Sequence, residues 1–224
     1  ANQPMEGALH AALENGYSVD ILNEEMFLER GARYPIVIVP EQEGLPERVA
    51  AALRAYVQNG GRLLLSGARA AGEFPDLTGV EAVEGPRLAF FPADGGAVIA
   101  NEWQGVRTTS SEEIAPLLSQ QEPGTNDTGL SAATRLRVGQ GVVVTAHGAL
   151  FRGYLRSHYP RLRRFVGDML DALEAPPTVR VEGPWWVEMA ARRKDGKTLI
   201  QLVNRSAAGY LAPNRHMVEH VPDA

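Results

Sequence analysis

Apolar residues along this chain fall into two rhythms, short unbroken runs and stripes spaced by three and four. Residues 36–40, IVIVP, form a β-branched run between Pro35 and Pro40, a length and composition that predict a strand buried on both faces. In EQEGLPERVAAALRAYVQNGG (41–61), Val49, Leu53, Tyr56 and Val57 share one helical face, with Pro46 near the start and Gly60 just past the end. RLLLSG (62–67) is the next apolar run. This spacing predicts a right-handed βαβ unit with Ser66 and Gly67 at the carboxyl end of a central parallel strand.

The flanks extend the pattern. MEGALHAAL (5–13) predicts a helix, Asn15-Gly16 a turn, and the alternating YSVDIL (17–22) a strand. GVVVTAHG (141–148) predicts a further buried parallel strand. HYPRLRRFVGDMLDALEAPP (158–177) predicts an amphipathic helix whose stripe is Leu162, Phe165, Val166, Met169, Leu170 and Leu173, stopped by Pro176-Pro177. Residues 84–130 are less regular. RLAFF and GAVIANEW suit strands, Ser111-Glu-Glu-Ile a helix start, and QQEPGTNDTG a polar loop. After Pro177, TVRVEG, WWVEMAARR and KTLIQLVNRS are β-rich, with Lys194-Asp195-Gly196 as a hairpin turn. The expected fold class is α/β, a doubly wound, mainly parallel, flavodoxin-like sheet over residues 1–175, followed at 176–224 by the start of an incomplete β-rich, sandwich-like unit.

Composition narrows the function. The 224 residues are 44% hydrophobic and 22% charged, and the formal net charge is −5. That balance suits a soluble folded chain and gives no electrostatic reason to expect nucleic acid or an anionic membrane as partner. No run has the roughly 18 apolar residues of a membrane span, and no signal segment opens the chain. Cysteine is absent, so disulfides, thiolate metal sites and a cysteine nucleophile are excluded. The start at Ala1-Asn-Gln-Pro and the end within β-rich sequence lead us to expect a piece of something longer.

VPEQEGLPERVAAALRAYVQNGGRLLLSG (39–67) resembles the core of the class I glutamine amidotransferase-like domain. The order of elements resembles, more narrowly, the middle or trimerisation domain of family 42 β-galactosidases and related bacterial glycoside hydrolases. ALFRGYLRSHYPRLRRFVGDMLDAL (149–173) and VRVEGPWWVEMAARRKDGKTLIQLVNRS (179–206) are similar to the end of that domain and the β-sandwich after it. The resemblance implies a catalytic (β/α)8 barrel ahead of this domain in the polypeptide, other domains of that polypeptide as partners, self-association and a carbohydrate context; beside it, no cofactor and a bacterial cytoplasmic setting are expected.

Amidotransferases of this type place a cysteine at the elbow that Ser66 or Gly67 occupies here, which removes glutaminase chemistry. A serine substitute lacks the G-x-S-x-G elbow, since Ser66 stands between Leu64 and Ala68. His147, ending the 141–148 run, lies at the corresponding edge and is the base such a hydrolase would use; the simpler reading makes Ser66 a turn cap and His147 a polar strand end. Glu41, Arg152 and Tyr154 are candidates to ring the same crevice, against a role as loop or interface residues. Trp185-Trp186 offers a domain contact or a sugar-stacking platform. HMVEH (216–220) matches an inverted zinc-peptidase pattern but stands between Pro213 and Pro222 near the chain end, so no metal site is expected there. The Asn126-Asp-Thr and Asn204-Arg-Ser sequons matter only in a glycosylating host. Three functions follow: a catalytically silent accessory or oligomerisation domain of a glycoside hydrolase, a stand-alone sugar or small-molecule binding module, and a divergent serine hydrolase.

Overall fold

The computed structural model describes residues 3–121, 127–177, 179–184 and 186–204. Helix α1 (Gln3–Glu14) opens the chain, followed by α2 (Glu24–Arg30), β1 (Ile36–Pro40), α3 (Glu47–Gln58) and β2 (Arg62–Ser66). Two short helices, α4 (Ala70–Glu73) and α5 (Pro75–Thr78), lead into β3 (Val80–Ala93), β4 (Gly96–Thr108), β5 (Glu112–Leu118) and β6 (Asp127–Val138). Then come β7 (Gly141–Ala146), α6 (Leu150–Ser157), α7 (Pro160–Ala172) and the hairpin β8 (Val187–Lys194) and β9 (Lys197–Asn204).

Seven strands share one sheet in the order β1-β2-β7-β6-β4-β3-β5, and β5 pairs back to β6. The β1–β2 and β2–β7 pairs are parallel; β7–β6 and every pair among β3 to β6 are antiparallel. The return pairing closes β6, β4, β3 and β5 into a four-stranded antiparallel barrel. Only β1, β2 and β7 make a parallel layer, so the expected doubly wound, flavodoxin-like, mainly parallel sheet is not what this chain forms. The irregular residues 80–138 supply the difference. They form long strands rather than crossover helices, and hairpin neighbours run antiparallel because a short turn reverses direction.

β2 shows why the parallel part was recognisable. Leu64 packs into the core beneath α1, α6 and α7, while Leu63 and Leu65 pack against Val49, Leu53 and Val57 of α3. Both faces are covered, so an unbroken leucine run is stable, each side chain contributing about 1.5–3 kcal/mol of burial. β1 differs from expectation. It is the sheet edge and only half-buried, because YSVDIL does not become a strand and leaves that edge unpaired.

Other expectations also change. Ser111-Glu-Glu-Ile begins no helix, since Glu112–Leu118 is β5, paired with β6. No strand forms over residues 179–184. The Asp195-Gly196 hairpin is as expected: both residues have positive φ, 51° and 74°, the geometry of a type I′ turn. That hairpin meets the first unit through Arg192, which contacts Ser18 Oγ at 2.7 Å and Asp20 at 3.1 Å. Among the described residues, no helix is long and apolar enough to cross a membrane.

Candidate functional site at the strand ends

The carboxyl ends of β1, β2 and β7 bring Glu41, Ser66, Gly67 and His147 to one edge, with α6 starting beside them. Parallel strands place their following loops together, which is why this edge is the natural place to look for a site. Glu41 N–H donates to Ser66 O at 2.8 Å and Gly67 N–H to Ala146 O at 3.0 Å, so the turns after the three strands are tied to one another. Gly67 has φ +144° and Glu41 φ +52°. The second is a left-handed conformation for a residue with a β-carbon, a local strain that neighbouring contacts must hold.

Those contacts are on the side chain. Glu41 Oε1 accepts N–H groups from Phe151 at 2.7 Å and Arg152 at 3.0 Å, at the first turn of α6. Its carboxylate is 4% exposed, and Oε2 stands 3.5 Å from Arg152 Nε. Burial pushes this carboxyl above its ordinary value, against the opposing pull of the two backbone N–H groups and the guanidinium. The geometry makes Glu41 an acidic cap that satisfies free donors of α6. Arg152 then reaches Glu102 Oε2 at 2.9 Å, and Glu102 also has positive φ, 56°.

Ser66 and His147 are committed to different partners. Ser66 is buried and its hydroxyl donates to Gly148 O at 3.0 Å. His147 is fully buried, with Nε2 2.9 Å from Thr134 Oγ1 on β6. Burial lowers its pKa to about 3, so the imidazole is neutral at physiological pH. Its backbone is also engaged, N–H to Ala132 O at 3.0 Å and O from Gln104 N–H at 2.7 Å. Ser66 therefore ties β2 to the segment after β7, and His147 ties that segment to β4 and β6 of the barrel.

Tyr154 is buried with its hydroxyl on Glu14 of α1, away from Glu41. Trp186 is half-buried just before β8. Trp185, HMVEH and Asn126 lie outside the described residues. Two hollows flank the edge. One of about 230 Å³ is lined by Ile99, Glu102, Trp103, Arg152, Arg156 and Leu162, below the roughly 300–1,000 Å³ of ordinary ligand clefts. A larger groove of about 640 Å³ runs along the open side of β1, lined among others by Tyr17, Ile21, Phe27, Ile36, Ile38 and Val49. Sequence reasoning missed this groove because it exists only where YSVDIL fails to pair. It also missed Glu102, whose position depends on the β3–β4 hairpin. A further group, His10, Glu14 and His158, gathers donor atoms within 4.8 Å of one another.

No protein-family model and no curated protein sequence matches the chain. Solved structures do resemble it. The α-L-fucosidase isoenzyme 2 from Paenibacillus thiaminolyticus superposes with a TM-score of 0.72 at 18% identity, covering 99% of this chain and 36% of its own. A catalytic mutant of Gan42B, a GH42 β-galactosidase from G. stearothermophilus, gives 0.68 at 17% identity over 90% of this chain and 30% of its own. The β-galactosidase from Bacillus circulans sp. alkalophilus gives 0.67 at 16%, covering 91% and 32%. At this identity the likeness is one of fold. The chain spans about a third of the length of these glycosidases.

Proposed function

We propose that this chain is a non-catalytic accessory module of a glycoside hydrolase, one that joins copies of the enzyme or walls the cleft of a catalytic barrel carried elsewhere in the polypeptide. The observation that carries the reading is the extent of the likeness: glycosidase chains match nearly all of this chain with only about a third of their own length. The strand-end chemistry supports it. The elbow offers no cysteine, Ser66 and His147 are bound into the sheet, and Glu41 caps α6. In this reading residues 1–175 are the module and 176–224 begin a β-rich neighbour. Its partners are other domains of the same polypeptide and further copies of itself.

The test is light scattering across a concentration series together with aryl β-galactoside and aryl α-fucoside hydrolysis by the chain alone. A defined oligomer and no turnover are expected. Turnover abolished by Ser66→Ala or Glu41→Gln would overturn the reading, and a monomer at every concentration would remove its assembly arm.

A second reading, a small-molecule or sugar-binding module, is favoured by one feature. The groove along β1 is mainly apolar and includes Tyr17, whose hydroxyl is buried without a hydrogen-bond partner, the mixture typical of a ligand cleft. A sugar that raises the melting temperature of wild type but not of Tyr17→Phe would support it.

A further inference from the structure

Helices α1 and α6 approach each other closely where Gly7 faces α6. A β-carbon at Gly7 would lie 2.0 Å from Phe151 O and 3.3 Å from Leu155 Cβ, so only glycine permits this contact. The approach sets two pairs of residues, each spaced by four on its own helix face, against each other. His10 and Glu14 come from α1. Tyr154 comes from α6, and His158 caps the end of that helix with φ +44°.

The four side chains form one connected group. Glu14 is 6% exposed and His158 13%, with His158 Nδ1 3.4 Å from Glu14 Oε1. Tyr154 hydroxyl donates to the other carboxylate oxygen, Oε2. The His158 ring lies tilted against those of Tyr154 and His10, with centroids 4.8 Å and 5.4 Å away. Of the two ring nitrogens of His158, Nδ1 faces Glu14, and Nε2 is buried on the other side of the ring.

We propose that His10, Glu14 and His158 bind a divalent transition-metal ion of the zinc type, which clamps α1 to α6. Two imidazoles and a carboxylate are the donor set that zinc takes with one position left for water. Two donors on a tetrahedral ion, each about 2.0–2.1 Å away, stand about 3.3 Å apart, close to the separation of His158 Nδ1 and Glu14 Oε1. Tyr154 supplies the outer hydrogen bond that orients the carboxylate. The group is separate from the strand-end edge and owes nothing to the accessory role proposed above.

The test uses the whole chain, stripped with a chelator and titrated with Zn²⁺ alone by calorimetry, with Co²⁺ absorption as a second readout. Two of the five histidines, His216 and His220, belong to HMVEH, so the double variant His216→Ala/His220→Ala is titrated in parallel. Expected is one ion per chain retained by that double variant, a zinc-dependent rise in melting temperature, and visible Co²⁺ bands of a four- or five-coordinate site. His10→Ala, on the half-buried face of α1, should keep the circular dichroism of the stripped protein and lose the saturable binding. Tyr154→Phe should weaken binding by about 10–100-fold. The proposal is overturned if binding disappears in the His216/His220 double variant, or if His10→Ala binds zinc as tightly as wild type. Absence of saturable binding to wild type overturns it as well.

Discussion

The parallel layer and the closed barrel bury their backbones by opposite means. β2 is an apolar strand sandwiched between helices, with Leu63 and Leu65 on one side and Leu64 on the other. Among the helices, β6 meets chiefly the short α5. It carries Ala132, Ala133, Ser131 and Thr134 in its buried stretch, small residues that let four strands close around a few large ones. Phe91 and Trp103 are both fully buried, with ring centroids 4.6 Å apart, and Trp103 Nε1 donates to Ala132 O at 2.9 Å. Phe91 also meets Phe165 of α7, ring centroids 4.5 Å apart, in the same core as Leu64, so the barrel adds large aromatics to a core that the parallel layer fills with leucines and valines. The two meet at β7, which pairs with β2 on one edge and β6 on the other.

The comparison is broken most severely at the seam. Trp103→Ala should cost about 3–5 kcal/mol in urea unfolding, through the cavity it leaves, while Ala132 O keeps the N–H of His147. Because β7 is shared, amides of β2 and β6 should lose hydrogen-exchange protection together. Loss confined to β3–β6 would show two separate units. Leu64→Ala, in the parallel layer, should cost about 2–4 kcal/mol with a smaller change in barrel protection, since neighbouring leucines share its load.

Acid should act on the seam through His147. Its folded pKa of about 3 lies below the unfolded value near 6.5, so in that window the unfolded chain holds a proton that the folded chain lacks. Stability is then full above about pH 6.5 and falls as pH drops toward 3, with a slope from this group of at most about 1.4 kcal/mol per pH unit. Urea midpoints from pH 7 to 4 measure it, and His147→Gln should flatten the slope.

Smaller effects sharpen the contrast. Glu41→Ala should cost about 1–2 kcal/mol by removing the cap of α6, so chemical shifts of α6 should move while those of β5 stay. Arg192→Ala should cost under about 1 kcal/mol, because its pairing with Asp20 is solvent-exposed. It should loosen β8–β9 alone, read as faster proteolysis near Lys194.

Legibility followed the same divide. β2, β7, α3 and α7 could be read directly, since a strand covered by helices needs a continuous apolar run and a covering helix needs an apolar stripe; β1 was legible as a strand but not as a half-buried edge. β5 was mistaken for a helix because Glu112 and Glu113 suggest a first turn, whereas pairing with Arg135 and Thr134 of β6 decides it. YSVDIL alternates like a strand yet does not pair, since alternation states which residues suit a strand and not whether an edge receives them. At the candidate site, the residue types of Glu41, Ser66 and His147 were visible in the chain. Their commitments were not, because each partner lies on another element: Phe151 and Arg152 for Glu41, Gly148 for Ser66, Thr134 for His147.

The sequence by itself determined which segments could be buried, that no thiol chemistry was available, and where the parallel strands would end. Tertiary structure decided that the sheet turns antiparallel after β7 and closes, and that Glu14 meets His158 across α1 and α6. The physical reason is one of range. Burial and turn preferences act between residues a few positions apart, whereas Tyr154 meets Glu14 across 140 residues, through a helix crossing that only the packed chain creates.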